Sequence, residues 1–381
     1  MPETVIIGGG VVGASVASHL TERGARDVVL FEREGRQGLG STGKATGGVR
    51  SQFETEINIR LSKYSIDFFR DQSGFVGYQR RGYLFFTCRP DAVDYLKRNV
   101  ESQRRNGVDD VDFLTADDVG KMVPDMRCDD VVGGSFGGSD GFIDPVAVME
   151  LFSARATEHG GRIDTGVDVR AIAVENGAVR GVETSGGLVE CEKVVLCAGA
   201  WSRSLAATAG VDLPVEPMRR QIVWARSKGP LPIGLPMVID LDTGFHFRPA
   251  KNSETDVLFA FPDTEEMSSF CCDFDDAFIE KVYERARYRA PFLAATVPVL
   301  EKCRAGLYEN TPDHHAILGR CGVEGLYLAC GFSGHGVMHS PATGRALSEI
   351  ILDGEAKFLD VSCLSIDRFA KGELLHETAF I

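Results

Sequence analysis

Four residues near the amino terminus have types and a spacing that suit the binding of a nucleotide. Gly8, Gly10 and Gly13 follow the order G-x-G-x-x-G, and Glu32 ends the next apolar run. Gly8 permits a tight turn, Gly10 lets a pyrophosphate approach a helix start, and Gly13 lets that helix pack on the preceding strand. Glu32 can bind ribose hydroxyls. Because residues 4–32 have a strand–helix–strand pattern, they predict a site for the adenine end of a dinucleotide rather than a turn that is merely rich in glycine.

A second glycine-rich segment lies near the carboxyl terminus, where residues 331–344 read GFSGHGVMHSPATG. Glycine lets a backbone approach a flat ligand closely, and a helix start supplies free N–H groups and the positive end of a dipole. A simple turn is the competing interpretation. His335, between two glycines, is more typical of a packed cofactor contact than of a general base. His339 and the pair His314–His315 lack a metal-ligand spacing, so we expect no metal site.

The segment over residues 40–53, GSTGKATGGVRSQF, bears on the choice between NAD and FAD. An NAD dehydrogenase usually enters its third strand soon after the acidic residue, whereas a long loop of small residues suits a flavin that extends inward. FAD is therefore the favoured cofactor. Arg50 precedes a helix that the apolar spacing predicts from Thr55 onward. Taken alone, Arg50 is either a ligand-binding cation or a solvated, helix-capping arginine.

The elements that must position these residues alternate in type along the chain. The sequence predicts a strand at YLFFT, a charged helix over about residues 91–105 and an amphipathic helix from Pro145 to about residue 158. A β-hairpin with Asn176-Gly177 at its turn follows, and then a buried strand in KVVLCAGAWS. Several short strands and one helix, near residues 275–288, come next. This order predicts a Rossmann-like domain interrupted by a second domain.

Composition excludes several other classes of protein. The chain has 381 residues, of which 44% are hydrophobic, and a net charge of −14. An acidic protein without a cluster of Lys or Arg is a poor ligand for nucleic acid or anionic lipid. No apolar run reaches the roughly 18 residues of a membrane helix, and the first strand is predicted about four residues from Met1, which leaves no room for a signal peptide. The ten scattered cysteines are interpreted as reduced thiols, so we expect a cytoplasmic protein.

The order of several motifs resembles that of a known family, the D-amino-acid oxidase superfamily. The similarity is to its branch of sarcosine oxidase, dimethylglycine dehydrogenase and the β-subunit of dye-linked proline dehydrogenase, and it spans nearly the whole chain. The segments that carry it are GGGVVGASVASHL, GSTGKATGGVR, DGFIDP, VVLCAGAWS, AGLYENTPDHHAILG and GFSGHGVMHSPATG. The resemblance implies FAD, an antiparallel-sheet substrate domain, and oxidation of the C–N bond of an amino acid.

The expected fold class is therefore α/β (α+β), with a Rossmann-like FAD-binding domain and an inserted antiparallel-sheet substrate domain. The expected FAD-binding domain is discontinuous, over residues 1–82, 141–213 and 315–381. The expected substrate domain covers residues 83–140 and 214–314.

The fingerprint and the resemblance together predict which residues contact FAD. The expected contacts are Gly8, Gly10, Val11, Val12, Gly13, Glu32, Arg33, Ser41, Thr42, Ala45, Thr46, Gly47, Val169, Ala198, Gly199, Trp201, Gly306, Gly331, Gly334, His335, Gly336, Val337 and Met338.

The chain also departs from the pattern of the family. Sarcosine oxidases bond the flavin covalently through a cysteine at the place of Gly306, so we expect noncovalent FAD here. Tyr308 matches the tyrosine on the substrate side, whereas D-amino-acid and glycine oxidases have a carboxylate-binding arginine there. Arg50 matches the arginine that holds the substrate carboxylate, and Met338 replaces the lysine that assists it. His246 is a possible further pocket residue.

These residues predict an FAD-dependent amine oxidoreductase that acts on a secondary or N-alkylated amino acid, with Arg50, Tyr308 and His246 as candidate catalytic residues. Phe259 is expected where sarcosine oxidases place an oxygen-activating lysine, which favours a dehydrogenase with a quinone or a protein as electron acceptor over an oxidase that uses oxygen. The alternatives are a D-amino-acid or glycine-type deaminating oxidase and a non-catalytic flavin-binding subunit or assembly factor. A flavin monooxygenase of related fold is not favoured, because the chain has GFSGHG where such an enzyme would need a GD-rich motif. A partner subunit is possible, and no nucleic acid or membrane partner is expected.

Overall fold

A computed structural model describes residues 2–377 of the chain. Its helices are α1 (Val11–Glu22), α2 (Ser41–Lys44), α3 (Glu56–Asp71), α4 (Ser73–Val76), α5 (Val93–Arg105), α6 (Ala116–Met122), α7 (Pro145–Glu158), α8 (Ser202–Thr208), α9 (Ala277–Arg289), α10 (Gly336–Asp353) and α11 (Asp367–Lys371). Its strands are β1 (Thr4–Ile7), β2 (Val28–Glu32), β3 (Gly48–Val49), β4 (Gln79–Arg80), β5 (Tyr83–Thr87), β6 (Val111–Leu114), β7 (Gly133–Gly137), β8 (Gly141–Phe142), β9 (Arg162–Thr165), β10 (Val169–Glu175), β11 (Ala178–Thr184), β12 (Gly187–Glu190), β13 (Lys193–Leu196), β14 (Glu216–Arg226), β15 (Met237–Asp240), β16 (His246–Pro249), β17 (Asp256–Ala260), β18 (Val297–Pro298), β19 (Arg304–Asn310), β20 (Ile317–Arg320) and β21 (Leu326–Cys330).

The amino-terminal strands lie at the centre of the first large sheet, whose order is β20-β21-β13-β1-β2-β9. All neighbours in it are parallel except β20 and β21. Strand β1 is buried throughout because both of its faces are covered. Ile6 enters a core shared with α1 and α10, whereas Val5 and Ile7 enter a core shared with the sheet β10-β11-β12. The carboxyl ends of β1, β13 and β21 therefore meet at one edge, where open α/β sheets bind ligands.

Helix α10 packs against α1 and α3 and fixes the segment that precedes it. A Cβ on Gly344 would lie 2.3 Å from Oγ of Ser15, so glycine is needed where α10 and α1 cross. Pro341 lies inside α10 and has no N–H to donate to the carbonyl of Val337, and Oγ of Ser340 donates to that carbonyl instead, at 2.9 Å. Leu347 is fully buried here, and truncating such a side chain to alanine costs about 2–5 kcal/mol.

The second large sheet has the order β18-β14-β17-β16-β15-β5-β7-β6, and β19 pairs with β14. Its neighbours are antiparallel except β15 and β5, which are parallel. One face packs against α9 around Phe247, Phe259 and Phe278. Strand β14 is long enough to pair with β17 and β19 in succession, and it brings both to the edge of the ligand-binding region.

The fold class expected from the sequence is confirmed, and the predicted elements lie within a few residues of their places. The charged helix is α5, the helix after Pro145 is α7, and the helix near residues 275–288 is α9. Asn176 and Gly177 have φ angles of 53° and 82°, as a two-residue hairpin turn requires. The first sheet draws its strands from the ranges expected for FAD binding, and the second from those expected for the substrate. The domain boundaries themselves stay a prediction.

Candidate functional site

A cavity of about 690 Å³ lies where the first sheet faces the second. Every predicted cofactor residue except two lines it, as do all three candidate catalytic residues. The exceptions are Gly13, where a Cβ would lie 2.0 Å from the carbonyl oxygen of Gly8, and Gly331, where a Cβ would lie 2.5 Å from Cγ2 of Thr311. Both glycines therefore serve close packing behind the cavity wall, and the prediction that Gly331 lies against the flavin is wrong in this respect.

The amino-terminal end of the cavity has the features of a dinucleotide cradle. Gly8 has a φ of +107°, and a Cβ on it would lie 2.3 Å from the carbonyl oxygen of Cys197. Helix α1 begins directly after Gly10, which has no side chain to cap it, and of its first N–H groups that of Val11 donates to Oγ1 of Thr42 at 3.1 Å. Uncapped N–H groups and the helix dipole favour an anion such as a pyrophosphate at this position. The geometry of the cradle therefore fits FAD.

Two main-chain N–H groups fix the carboxylate of Glu32 in the cavity wall. The N–H of Gly9 donates to its Oε2 at 2.8 Å, and the N–H of Glu34 donates to its Oε1 at 2.9 Å. Each carboxylate oxygen keeps a second lone pair for a hydroxyl group. Nearby, the guanidinium of Arg33 lies 4.5 Å from the ring centre of Trp201, which also lines the cavity. This end of the cavity offers an acceptor and a flat aromatic surface.

Arg50 also lines the cavity, and its side chain is buried. Its guanidinium carbon is 3.9 Å from the ring centre of Phe53, and it donates to the carbonyl of Gln52. Its Nη2 is 3.5 Å from Nε2 of His335. Burial and the charge of Arg50 hold the pKa of His335 well below its usual range, so this imidazole is neutral. His335 is a positioning contact for Arg50 and not a charged acid.

The main chain next to Arg50 is fixed by a buried carboxylate. Oδ1 of Asp140 accepts hydrogen bonds from the N–H and the hydroxyl of Ser51, at 2.7 and 2.9 Å. Oδ2 of Asp140 accepts from Nε2 of Gln52 at 2.9 Å. Burial raises the pKa of Asp140 to about 6, and these donors partly offset that cost. Asp140 belongs to the DGFIDP segment and orients the loop that carries Arg50.

Tyr308 and His246 face the same cavity from the second sheet. Tyr308 lies on β19 beside Gly334, where a Cβ would lie 2.4 Å from Cε2 of the tyrosine ring. Nδ1 of His246 donates to the carbonyl of Gly244 at 2.9 Å, and burial lowers the pKa of His246. Its Nε2 is therefore an unprotonated acceptor. The site thus combines a cation, a phenol and neutral imidazoles.

Several polar residues in the cavity wall were not predicted from the sequence, and Glu309 and Arg220 are two of them. Glu309 accepts a hydrogen bond from the N–H of Gly331 at 2.9 Å, and burial raises its pKa to about 7. Arg220 lies on β14 with its guanidinium carbon 5.6 Å from the ring centre of Tyr308. Arg220 lies on a strand that belongs to no motif, and Glu309 is adjacent to Tyr308, which also lines the cavity, so only the pairing of these strands, which the pattern did not fix, could have identified them.

Two further expectations concern Phe259 and Gly306. Phe259 is 1% exposed and packs against Tyr283 in the second core, and Ala260 lines the cavity instead, so the placement of Phe259 near the flavin is wrong. Gly306 does line the cavity, where a Cβ would lie 3.1 Å from Cβ of Lys44. Because Ala260 is the residue of β17 that lines the cavity, this strand presents a small, uncharged side chain there.

His339 and His315 form structural hydrogen bonds. Nε2 of His339 is 2.8 Å from Oγ of Ser62, and burial lowers the pKa of His339 to about 3. Nδ1 of His315 donates to the carbonyl of Asp313 at 2.6 Å. Within residues 2–377, no three His, Cys, Asp or Glu side chains are grouped as metal ligands. In the same range, no helix has the length and apolar character needed to cross a membrane.

A glycine-rich cradle at the carboxyl ends of parallel strands, joined to a buried pocket under a second sheet, defines a dinucleotide-dependent oxidoreductase. The family of FAD-dependent oxidoreductases described as DAO matches residues 3–350, and the chain belongs to it. This confirms the expected family, the expected cofactor FAD and the expectation of an enzyme.

Several known proteins are similar over almost the entire chain. FAD-dependent oxidoreductase domain-containing protein 1 of Xenopus laevis is 31% identical, over 98% of this chain and 84% of that protein. The 4-methylaminobutanoate oxidase (formaldehyde-forming) of Paenarthrobacter nicotinovorans is 30% identical over 96% of this chain, which spans only 45% of that protein. The crystal structure of L-proline dehydrogenase from P. horikoshii is 30% identical, covers 98% of this chain and 99% of that one, and has a TM-score of 0.90.

Proposed function

We propose that this chain oxidises the C–N bond of a secondary or N-alkylated amino acid, such as sarcosine, dimethylglycine or proline. The observation that carries the proposal is the placement of Arg50, Tyr308 and His335 in the same cavity as the dinucleotide cradle. An arginine fork is suited to a carboxylate, and a buried site strengthens that pairing. The names of the similar 4-methylaminobutanoate oxidase and L-proline dehydrogenase support an amine substrate of this type.

Each residue has a task in this reaction. FAD, when bound, supplies the hydride acceptor at its N5. Arg50 binds the carboxylate and so fixes the direction of the bond between the α-carbon and its hydrogen. The amine must be neutral so that its lone pair can stabilise the iminium product, and a pocket that contains Arg50 and neutral imidazoles disfavours an ammonium group. Phe53 and Phe85 lie beside Arg50 and exclude water from the ion pair.

We further propose a dehydrogenase in which electrons leave FAD for a quinone, a dye or a protein partner. A positive charge beside the flavin favours the superoxide that forms when oxygen accepts an electron. Ala260 is the residue of β17 that lines the cavity, so this strand contributes no positive charge to it. Stopped-flow mixing of the reduced protein with air-saturated buffer tests this, because reoxidation as fast as substrate turnover contradicts it.

A substrate screen with the purified chain tests the main proposal. Sarcosine, dimethylglycine and L-proline are compared with glycine and D-alanine, and reduction of an artificial dye is followed with and without oxygen. We expect turnover with at least one secondary amine and little with the primary amines. Preference for D-alanine or glycine favours the deaminating oxidase that Tyr308 argues against. No reduction by any amine favours the non-catalytic subunit.

A further inference from the structure

Arg220 is a cation in the cavity wall without a bound counter-ion. It lies on β14 opposite Gly306 of β19, and it lines the same cavity as Tyr308. Its Nη1 donates only to the carbonyl of Arg219, at 3.1 Å, and its buried Nε bonds nothing among residues 2–377. Arg220 is half-buried, and a cation whose Nε is buried without an acceptor and that has no carboxylate partner carries a cost that a ligand anion would remove.

The carboxylates whose charge reaches Arg220 are already paired with other cations. Glu266 binds Arg219 at 2.7 Å, and Asp263 binds Lys281 at 2.8 Å. No carboxylate among residues 2–377 forms an ion pair with Arg220 itself. Burial lowers the pKa of Arg220, which still remains charged at neutral pH. The second sheet therefore contributes a positive charge to the cavity that the described part of the chain does not neutralise.

This charge is separate from that of Arg50. Arg50 comes from the loop after β3, whereas Arg220 comes from the second sheet, and the charges of both act on the phenol of Tyr308. The charge of Arg220 also contributes to the lowered pKa of His246, which is neutral. A substrate with a single carboxylate satisfies Arg50 and leaves Arg220 without an anion. The dinucleotide pyrophosphate belongs at the start of α1 and offers no second anion here.

We infer that the substrate has a second acidic group, which Arg220 binds while Arg50 binds the first. The substrate class is then a secondary or N-alkylated amino acid with two carboxylates. This inference rests on the proposed function and narrows it. Arg220 acts as a specificity-determining residue, because a guanidinium left without its anion disfavours substrates that have one carboxylate.

Binding of compounds that cannot be oxidised separates this inference from turnover. Thiodiacetate and 3-(carboxymethylthio)propionate have two carboxylates at two spacings, (methylthio)acetate has one, and each has sulfur in place of the amine. Their dissociation constants are measured from changes in the flavin absorption spectrum of the holoenzyme. We expect at least one diacid to bind about 30-fold or more tightly than the monoacid. Arg220→Gln should reduce that ratio to about 3 or less.

Arg226→Gln is the matched control. Arg226 lies on the same strand, outside the cavity; it is exposed and pairs with the buried Asp256, which also accepts a hydrogen bond from Nε1 of Trp224. Arg226→Gln should keep the wild-type ratio of monoacid to diacid dissociation constants and the wild-type FAD content. A ratio near 1 for both diacids in the wild type overturns the inference, and so does a ratio that Arg220→Gln leaves unchanged. If Arg220→Gln loses FAD, Arg220 serves to bind the cofactor, and this result also overturns the inference.

A comparison of substrates distinguishes this failure from failure of the proposed function. Iminodiacetate and N-methylglutamate are compared with sarcosine and proline for reduction of the flavin. If all four reduce it at similar rates, the proposed function holds and the inference about Arg220 fails. If none of them does, the proposed function itself fails.

Discussion

A Cβ atom on Gly334 would lie 2.4 Å from Cε2 of Tyr308, so the absence of a side chain at residue 334 makes room for the tyrosine ring. Gly334 also has a φ of +93°, a conformation that other residues adopt only with strain. The loop that begins at residue 331 thus determines the position of a residue on β19. The glycine spacing of this loop reflects the packing of the substrate pocket as well as an approach to the cofactor.

Gly334→Ala is expected to displace Tyr308 and to strain the loop. A residue with a side chain at this φ, together with an overlap against a packed ring, costs about 2–4 kcal/mol of stability. We expect kcat/KM to fall by at least about tenfold because Tyr308 moves. Thermal unfolding and steady-state kinetics measure the two effects.

Gly336→Ala is the matched control in the same loop. A Cβ on Gly336 would lie 3.4 Å from Cβ of Phe332, which is an ordinary contact, and residue 336 begins helix α10. Its stability should stay within about 1 kcal/mol of the wild type. Equal losses of stability in Gly334→Ala and Gly336→Ala would refute the role given to Gly334.

Arg50→Ala is expected to lower kcat/KM by roughly 30-fold to 1000-fold. Removing one partner of a buried, charge-assisted pair costs about 2–4 kcal/mol. FAD content should hardly change because Arg50 is not one of the residues that form the dinucleotide cradle. Arg50→Lys should recover only part of the loss, since an ammonium group cannot reproduce the two parallel hydrogen bonds of the guanidinium. Near-normal kcat/KM in Arg50→Ala, or outright loss of FAD, would show that the residue serves another purpose.

The sequence predicted the first sheet well because its signals are local. The strand, the three glycines and the helix of residues 4–32 depend on one another at short range, and each has a strict steric role. Gly13 illustrates the limit of this reasoning, since its role is to let α1 approach Gly8 and it does not reach the cavity. A motif identifies a local structure more securely than it assigns each of its residues to the ligand.

The cavity wall contributed by the second sheet was harder to predict because register decides it. Phe259 and Ala260 are adjacent, and a shift of one residue exchanges the core face for the cavity face. The same holds for Arg219 and Arg220, of which the first pairs with Glu266 and the second lines the cavity. Alternating residues fix register only when one face is clearly polar, and neither face of β14 or of β17 is polar throughout.

FAD is expected to be released by acid because Gly306 has no thiol with which to bond it. The side chain nearest to residue 306 is that of Lys44, whose Cβ lies 3.1 Å from where a Cβ of residue 306 would be. An alkylammonium side chain cannot form the thioether bond that a cysteine forms with a flavin. After precipitation with trichloroacetic acid, the yellow colour should remain in the supernatant. Colour that stays with the washed pellet would demonstrate a covalent bond and overturn this prediction.

Glu309 is expected to make stability depend on pH near neutrality. Burial raises its pKa to about 7 in the folded chain, above the value of about 4.3 for an exposed glutamate. The folded state therefore binds the proton more tightly, and stability falls as pH rises through about 7. Between pH 6 and 8 this group should remove about 1.4 kcal/mol, whereas Glu309→Gln, which cannot ionise, should lack that decrease.

Urea unfolding of the FAD-free chain from pH 6 to pH 8 measures this difference, and Glu301→Gln is the matched control. Glu301 is exposed and lies just before β19, the strand that carries Glu309, so its replacement should leave the pH dependence of the wild type intact. The range lies above the isoelectric point near 5.1, where low net charge would promote aggregation. If wild type and Glu309→Gln lose stability in parallel over this range, the carboxyl group of Glu309 is already ionised at pH 6. Its hydrogen bond from the N–H of Gly331 would then outweigh the cost of burial.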